Sequence, residues 1–324
     1  MMQNEILNCG APITEMKPVR EIPITVLMGG PGSEHDISVA SGEAVVEALR
    51  SEGCRAEPLV VKSEDFDLPA GTGLAFNVIH GTFGEDGALQ EMLEQKGIPY
   101  TGAGSVSSRL AFDKALSKQR FVDAGVPTPA SELLAPDAAL PEMPPPYVVK
   151  PPREGSSVGI HIVKDAAAAS AAIADARKYN PEVLVEQFID GLELTVGVLE
   201  DRPLPVIHIA PRSGFYDLAN KYPWLGKGGG TDYHCPADLD AQTTDLVQST
   251  ALAAHRALGI EIYSRVDVLL DADARPFVLE VNTIPGMTAS SLLPKAAAAD
   301  GIPFGPLCLR IAELSLALRG GGDR

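Results

Sequence analysis

The stretch "SRVDVLLDADARPFVLEVNTIPGMTASS" (Ser264–Ser291) holds two β-patterned runs on either side of "DADA" (271–274). With a four-residue loop, Leu270 pairs with Arg275, Asp267 with Val278 and Arg265 with Glu280. Paired residues share a face and side chains alternate along a strand. Arg265, Asp267, Glu280 and Asn282 therefore gather on one face, opposite Leu279 and Val281. Two carboxylates and an amide carbonyl in one patch suit a hard, oxygen-ligated cation such as Mg²⁺. Arg265 beside them can offset developing negative charge. On an arbitrary hairpin this would be ordinary cross-strand charge pairing. Here "NTIPGMT" follows directly, and its Pro285–Gly286 turn brings backbone N–H groups to the same patch, as an oxyanion site requires.

Upstream, from Ile22 to about Pro99, strand and helix patterns alternate: "PITVLM", "SVASGEAVVEALRSEG", "AEPLVV", "LAFNVIH", "GALQEMLEQKG". That alternation predicts an open, mainly parallel sheet whose ligands collect at the strands' carboxyl ends. A helix around Lys114 ends at Gly125 and leads into prolines, a domain exit. "PPPYVVKPPREGSSVGIHIVKD" predicts a hairpin with a Gly/Ser turn, followed by an Ala-rich helix. "PEVLVEQFIDGLELTVGVLED" returns as strand, bend and strand, closing a small α+β unit of about ninety residues by the same periodicity. The boundaries that follow are an N-terminal extension 1–21, an α/β domain 22–126, a small central domain 127–202 and a C-terminal domain 203–324. The last contains a long glycine-bearing loop, 212–236, of the length that functional loops have.

Three further clusters carry polar chemistry. In "YVVKPPREGSSVGI", Lys150 ends a strand, and Gly155, Ser156, Ser157 and Gly159 form a turn of donors that can close over a triphosphate. It lacks GxxxxGK[ST] and is not a P-loop. In "LVEQFIDGLELTV", Glu186 and Glu193 bracket a bend, where acidic residues usually just face water. In "NVIHGTFGEDGALQ", His80 ends a strand at the expected crevice. The opening "ITVLMGGPGSEHDISVASGEAV" (Ile24–Val45) has the form of a phosphate cradle. Yet Glu34 stands at the start of its helix, where a carboxylate repels phosphate and suits an ammonium. The loop also lacks the third glycine of GxGxxG, which argues against a dinucleotide fold.

The 324 residues carry 26 Lys and Arg against 43 Asp and Glu, a net charge of −17 that opposes bare nucleic acid and anionic membranes. Hydrophobic content of 45% fits a globular chain with a sizeable core. Cys9, Cys54, Cys235 and Cys308 form no CxxC pair and read as reduced, mostly buried residues. The first twenty residues lack a signal-peptide pattern and no apolar run reaches membrane-spanning length, so the expected location is the cytoplasm.

Taken in order, "GGPGSEHDISVASG", "HGTFGEDGALQ", "FDK", "VVKPPREGSSVG", "VEQFIDGLELTV", "FYDLANKY", "SRVD" and "EVNTIPGMTASSLLP" make the chain resemble the D-alanine–D-alanine ligase family of the ATP-grasp superfamily, from about Ile24 to Pro294. The resemblance implies an α/β ATP-grasp fold, with a parallel-sheet N-terminal domain and two α+β domains that sandwich ATP. In the implied reaction one D-alanine carboxylate takes the γ-phosphate of ATP, and the amine of a second D-alanine displaces it.

The resemblance also implies roles for single residues. Lys114 and Lys150 contact phosphate. Ser156, Ser157, Phe215 and Lys221 complete the ATP site, with Glu186, Gln187, Ile189 and Glu193 at adenine and ribose. Asp267, Glu280 and Asn282 match magnesium ligands, for two ions with Mn²⁺ a substitute. Arg265 and the Gly286 N–H match the oxyanion site. Glu34 matches the anchor of the first ammonium with His80 near it, and Ser291 and Leu292 match the second carboxylate pocket. Ser156, Lys221 and Tyr222 match residues tying a lid loop over the site, and the tyrosine favours a dipeptide over an ester product. A homodimer is a further implication. The alternatives are a ligase with D-lactate or D-serine as second substrate, and a nucleotide-binding relative without catalysis; the second has no need of an oxyanion arginine.

Overall fold

The computed structural model describes residues 18–155, 158–212 and 230–320. The first unit is built on β1 (Pro23–Gly29), flanked by β2 (Arg55–Val61) and β3 (Leu74–Asn77) in parallel, in the order β2-β1-β3. Tyr100 adds a parallel bridge to Ala75. The near-continuous burial of β1 and β3 is what a parallel sheet covered on both faces requires. Helix α1 (His35–Ser51) packs on one face and α2 (Ala88–Gln95) on the other. The turn from β1 into α1 depends on glycine. Gly29 and Gly30 have φ of 87° and 95°, and a Cβ on Gly30 would lie 2.5 Å from the Ile79 side chain. Val19 is buried in the core, so ordered packing begins before Ile22.

The helix expected around Lys114 is two helices, α3 (Ser105–Phe112) and α4 (Lys114–Asp123). They break at Asp113, whose side chain accepts the N–H groups of Ala115 and Leu116 and caps α4.

A four-stranded sheet follows: β4 (Ser131–Leu134), β5 (Tyr147–Lys150), β6 (His161–Val163) and β7 (Val183–Gln187), in the order β4-β7-β5-β6. The predicted hairpin is the β5–β6 pair. Helix α5 (Ala169–Ala176) covers this sheet. The second strand after the bend, β8 (Gly191–Leu199), does not belong to this unit. It runs centrally in the larger sheet of β9 (Arg202–Pro203), β10 (Ile207–Pro211), β11 (Thr231–His234), β12 (Tyr263–Asp271) and β13 (Pro276–Asn282). The chain thus changes sheets at residues 188–190, earlier than position 202. The cause is the partner available: β8 finds a nine-residue antiparallel partner in β12.

Helix α6 (Ala241–Ala257) covers one face of this sheet, burying Val247, Ala251 and Ala254 against Val196, Val266 and Val268. The last helices, α7 (Leu292–Ala299) and α8 (Phe304–Arg319), pack back on the first unit and share a core with α1 and β1. Cys54 and Cys308 are buried and Cys235 half-buried, all free. Among the described residues no single helix is long and apolar enough to cross a membrane.

Candidate active site

The β12–β13 ladder makes the floor of the site. Its register departs from the sequence expectation. Leu270 pairs with Pro276, and a bulge beside Asp267 and Val268 takes up one further residue, so that Asp267 pairs with Glu280 and Arg265 with Asn282. The four polar residues still share a face. The bulge also turns Leu279, expected on the far side, into the cleft beside Glu280, because two residues of the bulged strand oppose one on the partner. Val281 remains in the core.

Arg265 grips Asp267 through two hydrogen bonds, Nε to Oδ1 at 2.9 Å and an Nη to Oδ2 at 2.8 Å. Thr195 Oγ1 on β8 donates to the same Asp267 Oδ1 at 2.6 Å. Lys114, the first residue of α4, places Nζ 3.1 Å from Glu280 Oε2. Burial alone would raise the Glu280 carboxyl, but Lys114 and Lys150 hold it ionised, well below the usual carboxylate range. Burial likewise opposes charge on Lys114, and Glu280 and Glu186 more than offset it.

Asn282 Oδ1 accepts the Ile284 N–H at 3.0 Å, which fixes the amide carbonyl and leaves a second lone pair. The donor set of two carboxylates and a carbonyl fits a hard cation.

A cavity beside this floor is lined by Glu34, His80, Glu85, Lys114, Glu154, Gly155, Arg265, Glu280, Asn282 and Gly286. Glu34 stands at the N-cap of α1 without capping it. Its carboxylate lies between two chain segments: a Cβ on Gly81 or on Gly155 would come within 2.8 or 2.9 Å of Oε2. His80 is three residues past the end of β3, not at it. The Asn77 side chain bonds to Gly84 O and Ile79 N and bends the backbone away there. The imidazole is buried between the Ile284 carbonyl, 2.8 Å from Nδ1, and Ser41 Oγ, 3.2 Å from Nε2.

A second, larger cleft of about 620 Å³ opens between the β5–β6 hairpin and the large sheet. Lys150, Gln187, Ile189, Glu193 and Asp267 line it. So does Glu186, but its side chain is 3% exposed and its carboxylate is held by two lysines, Lys118 Nζ at 3.0 Å and Lys150 Nζ at 2.8 Å. Burial would raise this carboxyl; Lys150 and Lys118 hold it below its ordinary range. Its side chain thus forms a charged floor for the cleft. Burial pushes Lys118 down to about 8, against the pull of Glu186.

Ser291 and Leu292 begin α7 just behind Gly286. Ser291 Oγ accepts the Thr288 N–H at 3.1 Å, and a Cβ on Gly286 would meet it at 2.9 Å. The Leu292 side chain is buried in the core, so any ligand contact there falls to its backbone. Ser156, Ser157, Phe215, Lys221 and Tyr222 lie outside the described residues, as does most of the 212–236 loop.

Sequence reasoning missed Lys118, Glu85 and Glu154. Lys118 had a usable signal, since Lys114 and Lys118 are one turn apart on one helix face. Burial and the nearby Glu34 raise the Glu85 carboxyl, with His80 opposing. No local pattern marks Glu154, whose neighbours Lys114 and Glu34 come from other elements, while Glu85 meets His80 and Gly81 within its own loop.

Residues 62–103 match the family model described as D-ala D-ala ligase N-terminus, and residues 136–313 match D-ala D-ala ligase C-terminus. The chain is 46% identical over 300 residues to a D-alanine–D-alanine ligase of Methylacidiphilum infernorum, covering 93% of this chain and 97% of that one. It is 43% identical to the ligase of Citrifermentans bemidjiense, covering 92% and 97%. The structure superposes on the D-alanine–D-alanine ligase of Bacillus anthracis complexed with ATP, with a TM-score of 0.81, 32% identity and coverage of 92% and 99%. A parallel sheet joined to two antiparallel sheets around a lysine- and carboxylate-lined cleft, on a sequence this similar, places the chain in the D-alanine–D-alanine ligase family.

Proposed function

We propose that the protein is an ATP-dependent ligase that joins two D-alanines into D-alanyl-D-alanine, a peptidoglycan precursor, in the cytoplasm, acting as a homodimer. One observation carries the reading: Glu34, Lys114, Arg265, Glu280 and Gly286 line one cavity, although they come from four separate parts of the chain. A carboxylate for an ammonium, a lysine for phosphate and an arginine for an oxyanion are what amide formation through an acylphosphate needs.

ATP lies in the larger cleft. Lys150 and Lys114 meet its phosphates, while Gln187, Ile189 and Glu193 border the base and ribose. Glu186 keeps Lys150 oriented from below. Asp267, Glu280 and Asn282 would hold Mg²⁺, two ions in all with Mn²⁺ a substitute, which when bound neutralises the phosphate charge. Glu34 anchors the first amino acid by its ammonium and turns its carboxylate toward the phosphates, and His80 borders that subsite. Transfer of the γ-phosphoryl group to this carboxylate gives D-alanyl phosphate, and attack by the second amine releases phosphate. The tetrahedral oxygen that forms is met by Arg265 and the Gly286 N–H. Ser291 and the Leu292 backbone border the second carboxylate. Ser156, Ser157, Phe215 and Lys221 would complete the ATP site, and Ser156, Lys221 and Tyr222 would tie the lid loop that excludes water.

Incubation with D-alanine, ATP and Mg²⁺ should release ADP and phosphate and yield a product with the mass of the dipeptide. Turnover with another amino acid but none with D-alanine would overturn the reading.

A further inference from the structure

The base of the β5–β6 turn is fastened to the break between α3 and α4 by three contacts that use only Asp113 and Lys114. The Lys114 N–H donates to the Pro152 carbonyl at 2.9 Å, Arg153 Nε donates to Asp113 Oδ2 at 2.6 Å, and Lys114 Nζ donates to the Glu154 carbonyl at 2.7 Å. Asp113 is 6% exposed, and its other oxygen caps α4. A second guanidinium nitrogen of Arg153 reaches Glu182 Oε2 at 3.0 Å, just before β7. Arg153 therefore ties the small sheet to the helix that presents Lys114. Two residues along, Gly155 bounds the carboxylate of Glu34. Asp113, Arg153 and Glu182 line neither cavity.

We propose that Arg153 is a positioning residue for the ligase reaction: clamped on Asp113, it holds Lys114 and Gly155 in register, so that the phosphate lysine and the Glu34 carboxylate face one cavity. The inference rests on the ligase reading above. A guanidinium suits the task because its fixed fork reaches two carboxylates on different elements, which a lysine's single nitrogen does less well. Small displacements of positioned groups lower rates strongly. The Arg153 guanidinium is itself half-exposed, and the buried Asp113 carboxylate keeps the Ala115 and Leu116 N–H groups as partners when Arg153 is replaced, so the loss of stability is limited.

The test compares Arg153→Met, Arg153→Lys, Asp113→Asn and the Arg153→Met, Asp113→Asn double variant. Asparagine preserves the helix cap while removing the charge. Steady-state kinetics, thermal unfolding and ATP affinity by calorimetry without D-alanine are measured for each. Arg153→Met is expected to unfold near the wild-type temperature and to raise KM for ATP and for D-alanine, each about tenfold. Arg153→Lys should recover part of both losses. Asp113→Asn should add little to Arg153→Met, since the pair is already broken. Wild-type KM values in Arg153→Met, or effects of the two substitutions that add in full, would overturn the proposal. If Arg153→Met fails to fold, Arg153→Lys and Asp113→Asn carry the same comparison. Wild-type protein that does not turn over D-alanine sinks the ligase reading instead, and the calorimetric ATP affinities still decide whether the clamp sets the phosphate site.

Discussion

Asp267 lies directly opposite Glu280 across the β12–β13 ladder, at the step where a bulge shifts the register. Without the bulge the two acids would be out of step. With it they form one oxygen-rich patch, whose charge Arg265 and Lys114 offset. Asp267→Asn and Glu280→Gln keep side-chain volume and remove that charge. Each should lower turnover by about 10²–10³-fold and raise the Mg²⁺ concentration needed for half-maximal rate. Unchanged magnesium dependence in both variants would remove the metal assignment.

The buried Lys118–Glu186–Lys150 group should make ATP binding sensitive to pH. Lys118 sits at about 8. Below that pH Lys118 adds a positive charge beside Glu186 and Lys150; above it that charge is lost. Phosphate prefers the former, so KM for ATP should rise from pH 7 to pH 9 in the wild type. Lys118→Met should show a weak ATP site at pH 7 and a flat profile over that range. A wild-type slope that survives in Lys118→Met would assign the titration elsewhere.

Glu186 also bears on stability. Replacement by Gln strands two buried ammonium groups, a change that costs about 3–5 kcal/mol. The carboxyl is held below its ordinary value of 4.5. Its contribution is therefore fully present above that pH and is lost as pH falls through the lower folded value. Urea unfolding at pH 7 and pH 3 reads both: Glu186→Gln should be less stable than wild type at pH 7, with the gap narrowing at pH 3.

Gly155→Ala isolates the amino-acid subsite. The added methyl would come within 2.9 Å of Glu34 Oε2, the mobile end of a side chain, so the fold should tolerate it while the carboxylate is displaced. KM for D-alanine should rise about tenfold with ATP affinity nearly unchanged, the signature of one misplaced binding group. Glu34→Gln should give the same split. A loss confined to ATP would place Glu34 on the nucleotide side.

Local chemistry was legible in the chain itself. Alternation along "SRVDVLL" and "FVLEVN" put Arg265, Asp267, Glu280 and Asn282 on one face, and the alternating strands and helices before Pro99 announced a parallel sheet. A carboxylate at the start of α1 was also readable there, and it lines the smaller cavity. These follow from backbone periodicity and charge, which act over a few residues. Tertiary structure decided the rest, because it depended on partners far along the chain. β8 left the small unit because β12 offered a long antiparallel edge. Glu186 became a buried counter-charge because α4 and β5 each bring a lysine to it. Glu154 joined the cavity only because the base of the β5–β6 turn is fastened to Lys114 at the start of α4. Burial and the distance between charges set what such groups do, and neither exists until the sheets are packed.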